Sequence, residues 1–99
     1  MIAEKKRIAI LGSTGSIGTQ ALEVIAAHPD AFEVEVLTAQ QNAKLLVEQA
    51  KKFRPNAVVI GNEEHYAFVK SELSSTDCKV YAGENALSSV VQMDTVDLV

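Results

Sequence analysis

The chain predicts an α/β fold: a Rossmann-like, doubly wound parallel sheet forming a single domain over residues 1–99. Three observations carry that expectation. Short continuous apolar runs, Ile8-Ala9-Ile10-Leu11 and Ala57-Val58-Val59-Ile60, have the look of strands covered on both faces. Between such runs, apolar residues recur at helical spacing. The connections are only a few residues long, so successive strands pair in parallel through helical crossovers.

The elements follow in order. Arg7 to Leu11 reads as a buried strand and runs into a glycine-rich turn. From Ser16 to His28, Ile17, Ala21, Leu22, Val24 and Ile25 mark a helical face. Pro29 stops that helix, because the residue before a proline is pushed out of the α region. His28 is expected in its last turn, complementing the helix dipole. Phe32 to Thr38 alternates, with Phe32, Val34, Val36 and Thr38 on one side and Glu33, Glu35 and Leu37 on the other. Asn42 is an expected N-cap for a helix over 43–53, carrying Leu45, Leu46, Gln49 and Phe53 along one side. Pro55 and Asn56 break it. A strand at 57–60, a helix at 63–73, a strand at 79–82, a short helix at 85–93 and a strand from Val96 to Val99 complete the pattern. A final strand at the sheet edge would leave Val96, Leu98 and Val99 exposed and prone to recruit other chains.

Composition narrows the class. The 99 residues carry a net charge of −4, which disfavours nucleic acid as a partner, since phosphate neutralisation needs clustered Lys and Arg. The small Lys5-Lys6-Arg7 cluster reads as a solvated lead-in to the first strand. The one cysteine, Cys78, leaves neither an intrachain disulfide nor a multi-cysteine zinc site. No apolar stretch approaches the roughly 20 residues that cross a bilayer, and no secretory leader pattern opens the chain. A cytoplasmic protein with no membrane partner is expected.

The stretch Leu11-Gly-Ser-Thr-Gly-Ser-Ile-Gly18 carries the function. In such sheets, ligands bind beyond the carboxyl ends of the strands, and the first strand-to-helix turn is the usual phosphate site. Gly12 can take a positive φ and turn the chain sharply. Gly15, lacking Cβ, lets the backbone approach a pyrophosphate. Gly18 permits tight packing of helix on strand. Free amides around Thr14, Gly15, Ser16 and Ile17, with hydroxyls from Ser13, Thr14 and Ser16, would cradle the anion at the positive end of the helix. Glycine turns also form for purely local reasons, and the spacing here is G-x-x-G-x-x-G. Its position after a strand and before a helix favours a nucleotide. No Gly-Lys-Ser/Thr ending makes it a Walker loop.

The end of the second strand reads Thr38-Ala39-Gln40-Gln41-Asn42, without the carboxylate that usually holds the ribose hydroxyls of NAD. Amide side chains can donate to a 2′-phosphate, so NADPH is the expected cofactor. The plainer reading is a polar loop with a helix cap. His65 beside Glu63 and Glu64 reads as an exposed helix start, and no grouping of His, Cys, Asp and Glu has spacing suited to a catalytic metal.

Gly12 to Gly18, directly after Ile10-Leu11, resembles the opening of 1-deoxy-D-xylulose-5-phosphate reductoisomerases. The resemblance continues through His28-Pro29, Phe32, the Ala39–Asn42 loop, Val47-Glu48-Gln49 and Arg54-Pro55, and covers essentially the whole chain. It implies an NADPH-dependent oxidoreductase of non-mevalonate isoprenoid biosynthesis. That enzyme rearranges and reduces 1-deoxy-D-xylulose 5-phosphate to 2-C-methyl-D-erythritol 4-phosphate with Mg²⁺ or Mn²⁺, as a homodimer. By position, the family's pyrophosphate contacts fall on Thr14, Gly15, Ser16 and Ile17, and its adenosine-side contacts on Gln40, Gln41 and Asn42. Gln40 stands where the family frequently has glycine, and Gln41 where it has a cation. The family's catalytic and metal-binding residues would lie beyond residue 99, so the chain is expected to be an amino-terminal cofactor domain without activity of its own. Two other readings share the glycine spacing: the cofactor domain of an aspartate-semialdehyde dehydrogenase-like reductase, and a nucleotide-binding module without chemistry.

Overall fold

The computed structural model describes residues 5–91 and 97–98. The strands are β1 (Lys6–Ile10), β2 (Phe32–Ala39), β3 (Ala57–Ile60), β4 (Lys79–Ala82) and β5 (Asp97–Leu98). The helices are α1 (Ser16–Ala27), α2 (Ala43–Phe53), α3 (Tyr66–Glu72) and α4 (Glu84–Val91), with a 3-10 turn over Glu63–His65 ahead of α3. Strands and helices alternate as expected; the boundaries differ in detail. Leu11 belongs to the turn, the expected single helix over 63–73 divides into a 3-10 turn and α3, and Val96 and Val99 lie outside the described residues.

The sheet order is β4-β3-β2-β1-β5, and every pairing is parallel. The chain therefore steps outward from β1 to β4 and then returns to the other side of β1. That route divides the helices between two layers. Leu22 and Ile25 of α1, Leu46 and Val47 of α2, and Val69 of α3 share one core with Ile8, Ile10, Leu37, Val58 and Ile60. Val90 of α4 packs on the opposite face against Ala9, Val36 and Val59. Coverage of both faces is the physical basis of a doubly wound sheet, and it explains why β3 reads as an unbroken apolar run.

The expected alternation along β2 is corrected at Glu35. Ile8 pairs with Val34 while Ala9 pairs with Val36, so Glu35 is an extra residue in a β-bulge. Val34 consequently joins Leu37 and Ala39 in the three-helix core, and Val36 faces the α4 side. Glu35 is buried, and its Oε1 accepts from Arg7 Nη2 at 2.8 Å and from Asn56 Nδ2 at 3.2 Å. A buried carboxylate requires such partners. A period-two pattern has no means of announcing the inserted residue.

Two helix ends follow local chemistry. Asn42 caps α2 as expected, its Oδ1 accepting from the Leu45 amide at 3.2 Å. His28 is the C-cap of α1 and stands outside its last turn, with its ring edge-on to Phe32 at 6.5 Å. His28 therefore stands one position past the last turn expected for it, still at the carboxyl end of α1.

Leu46 is fully buried between α2 and the sheet. Leu46→Ala is expected to lower unfolding free energy by about 2–5 kcal/mol in urea titrations followed by circular dichroism. Half-buried Cys78 has its thiol pushed up from the ordinary range by desolvation. Less thiolate is then present at mildly alkaline pH, so a disulfide reagent should label Cys78 more slowly in the native chain than in urea. The difference should narrow as pH rises through the folded-state pKa; equal rates throughout would contradict the burial.

Candidate functional site

At the carboxyl end of β1 the chain must leave a buried strand and start α1 within a few residues. Gly12 makes the bend with φ 70°, in the left-handed region that side chains disfavour. The inner side of the turn is tied down completely. The Gly12 amide donates to Thr38 Oγ1 at 2.9 Å, and the Ser13 amide donates to the Thr38 carbonyl at 2.7 Å. Ser13 Oγ donates to Gln49 Oε1 at 2.7 Å, while Gln49 Nε2 donates back to the Ser13 carbonyl at 2.8 Å. Ser13, Thr38 and Gln49 are all buried. The expectation that the Ser13 hydroxyl would face a ligand is therefore corrected, because Gln49 occupies it. The Gly15 amide is likewise engaged, donating to the Gly12 carbonyl at 3.0 Å.

The outer side is open. Gly15 is the N-cap of α1, with no side-chain cap and no acidic residue in the first turn. The first bond to its carbonyl comes from the Thr19 amide at 2.9 Å. Among the described residues, the Thr14, Ser16 and Ile17 amides have no protein acceptor. Ser16 and Ile17 are exposed. Unpaired donors at the positive end of a helix are what an anion such as a diphosphate requires.

The three glycines do different things. A Cβ at Gly18 would sit 2.7 Å from the Ser13 Cα and press on the Gly12 carbonyl, so helix and turn touch only because it is absent. Gly12 has open space and is held by its φ alone. Gly15 has neither constraint: its φ is −83°, and a Cβ would meet the Gly12 carbonyl oxygen at 3.4 Å, an ordinary contact. No clash and no left-handed φ holds glycine at position 15, although its N-cap place favours glycine over alanine.

The second group of expected residues lies at the adjacent strand end. Bonds between Gly12, Ser13 and Thr38 join the ends of β1 and β2, so the glycine turn and the Gln40–Asn42 loop share one edge of the sheet. Between them Leu11, Gly12, Thr38, Ala39, Gln40 and Leu87 line a cleft of about 220 Å³. Gln40 lays its amide against Gly61, where a Cβ would collide with it. Gln41 Oε1 accepts from Asn62 Nδ2 at 2.8 Å, and Asn62 Oδ1 accepts from the Glu64 amide at 2.9 Å. Asn62 thereby turns the NH₂ end of Gln41 away from itself, leaving it as a donor. Asn42 spends its oxygen on capping α2 and keeps its own NH₂.

Sequence reasoning missed Thr38, Gln49, Asn62 and Leu87 as parts of this site. A signal existed for Gln49: a polar residue on the core-facing side of a helix needs a buried partner. A cavity of about 720 Å³ lies at the opposite edge among Glu33, Lys51, Arg54 and Asp77. It is a polar surface groove of mixed charge, away from the strand ends that bind ligands in parallel sheets. Among the described residues no group of three or more His, Cys, Asp and Glu could hold a metal ion.

A parallel sheet covered by helices on both faces, with an uncapped glycine turn at the carboxyl end of its first strand, defines a Rossmann-like domain. The chain belongs to the 1-deoxy-D-xylulose 5-phosphate reductoisomerase family, whose model matches residues 8–99. It is 61% identical over 95 residues to the reductoisomerase of Phocaeicola vulgatus, covering 96% of this chain and 25% of that protein. Against the Porphyromonas gingivalis enzyme it is 46% identical over 95 residues, again covering 96% of this chain and 25% of that protein. Among solved structures, the Zymomonas mobilis reductoisomerase in complex with NADPH superposes with a TM-score of 0.88 at 32% identity. That match covers 93% of this chain and 24% of the other. A DOX-P reductoisomerase in complex with NADPH, fosmidomycin and magnesium gives 0.86 at 27% identity, covering 94% and 23%. The chain thus spans about a quarter of the length of the relatives it matches. Family membership sets aside the aspartate-semialdehyde dehydrogenase-like reading.

The glycines give a paired test. Gly15→Ala should lower the melting temperature only slightly, through loss of a glycine N-cap, but weaken dinucleotide binding by about fivefold or more, the equivalent of a 1–3 kcal/mol steric conflict. Gly18→Ala should lower the melting temperature itself, because the conflict is with backbone. Calorimetric melts and binding titrations on both variants would decide. Unchanged binding by Gly15→Ala would remove the cradle from the site.

Proposed function

We propose that this chain is the NADPH-binding part of a 1-deoxy-D-xylulose 5-phosphate reductoisomerase. The open amides at Thr14, Ser16 and Ile17 carry the reading, together with a glycine at position 15 whose missing Cβ faces nothing closer than the Gly12 carbonyl oxygen. In the whole enzyme, NADPH supplies a hydride for reduction of the rearranged substrate. This chain's residues bind and orient. The Thr14, Ser16 and Ile17 amides receive the diphosphate, with Gly15 leaving room for its approach. Gln40, Gln41 and Asn42 meet the adenosine side. The Gln41 NH₂, aimed outward by Asn62, donates to the 2′-phosphate, and no carboxylate at the end of β2 repels that group.

The substrate, the Mg²⁺ or Mn²⁺ ion and the homodimer contacts belong to the remainder of the family's length. A cytoplasmic location accords with the described residues, where no helix is long and apolar enough to cross a membrane.

Nicotinamide fluorescence titrations of the 99-residue chain should show saturable binding, with NADPH tighter than NADH by about tenfold, or 1.4 kcal/mol. Equal affinities would remove the 2′-phosphate from the role given to Gln41. No binding of either would end the reading. With 1-deoxy-D-xylulose 5-phosphate, NADPH and Mg²⁺ added, the chain alone should oxidise NADPH no faster than a protein-free control.

A further inference from the structure

We propose that Gln49, with Thr38 opposite it, is the positioning residue that sets the diphosphate cradle, an inference that rests on the site reading above. Gln49 sits on α2, 36 residues from Ser13, on a surface otherwise made of Ala43, Leu46, Val47 and Ala50. A side chain there for packing alone would be apolar. Gln49 instead places both ends of its amide on one residue: its oxygen accepts from the Ser13 hydroxyl and its nitrogen donates to the Ser13 carbonyl. A two-point contact fixes rotation as well as distance. Thr38 holds the same turn through the amides of Gly12 and Ser13. With these groups of Ser13 committed inward, the chain leaves Ser13 in one direction, and the next amides open outward at Thr14, Ser16 and Ile17.

The donor-and-acceptor pattern makes a distinctive test. In Gln49→Glu, only a protonated carboxyl reproduces both bonds, its carbonyl accepting from Ser13 Oγ and its O–H donating to the Ser13 carbonyl. The ionised form has no donor and faces a carbonyl oxygen. Burial and that contact both raise the carboxyl pKa, so the clasp is present at low pH and lost as pH rises through the folded-state value. Gln49 itself does not titrate.

Two readouts on the 99-residue chain test this. In unliganded protein, the Gly12 and Ser13 amides of Gln49→Glu should have hydrogen-exchange protection factors near wild type at about pH 5.5 and roughly tenfold or more lower at about pH 8.5. The ratio of variant to wild-type NADPH dissociation constants should rise in parallel; the ratio cancels titration of the cofactor's own phosphate. Gln49→Met, which adds no charge, should lower Gly12 and Ser13 protection at both pH values while Val58 and Val59 of β3 keep theirs. Protection in Gln49→Glu equal to wild type at both pH values would overturn the proposal. So would a loss in Gln49→Met shared equally by β3, which would make Gln49 general core support. A wild-type chain that shows the protected turn but binds no NADPH would instead overturn the site reading.

Discussion

The end of β1 poses one problem that organises the molecule: buried backbone groups must be satisfied exactly where the chain is neither strand nor helix. A turn of small residues cannot satisfy them itself. The solution takes partners from two neighbouring elements, Thr38 from the end of β2 and Gln49 from α2. With the inner groups bonded, the Thr14, Ser16 and Ile17 amides at the start of α1 are left without a protein acceptor among the described residues.

The bulge in β2 belongs to the same arrangement. Without Glu35 as an inserted residue, Val36 and Thr38 would share a side with Val34; with it, they turn to the α4 face. Thr38 then approaches the turn from one side of the sheet while Gln49 reaches it from the three-helix side. Glu35 is stabilised at that irregular point by Arg7 and Asn56. A charged pair near the amino ends of the strands and the glycine turn at the carboxyl end of β1 are thus linked through the register of one strand.

The family relation gives these features a place in a longer protein. The chain covers a quarter of its relatives' length, and the open groups at this end of the sheet are backbone amides and side-chain carboxamides beside a helix terminus. Gln40 lies against Gly61, and Gln41 accepts from Asn62.

Element order, the cap at Asn42 and the place of the glycine turn were all legible in the amino-acid sequence, because each depends on neighbours within a few residues: apolar period, proline, and glycine spacing. Gly12, Gly15 and Gly18 could be picked out together for the same reason. Which glycine is held by its φ, which by close packing and which by neither could not be separated, since that depends on what stands opposite each missing Cβ. The commitment of Ser13 to Gln49, of Gln41 to Asn62, and the bulge at Glu35 were decided only by tertiary structure. Each is a contact between residues far apart in the chain. Hydrogen bonds of that kind have no period, and only the packing of one element against another determines which donors stay free.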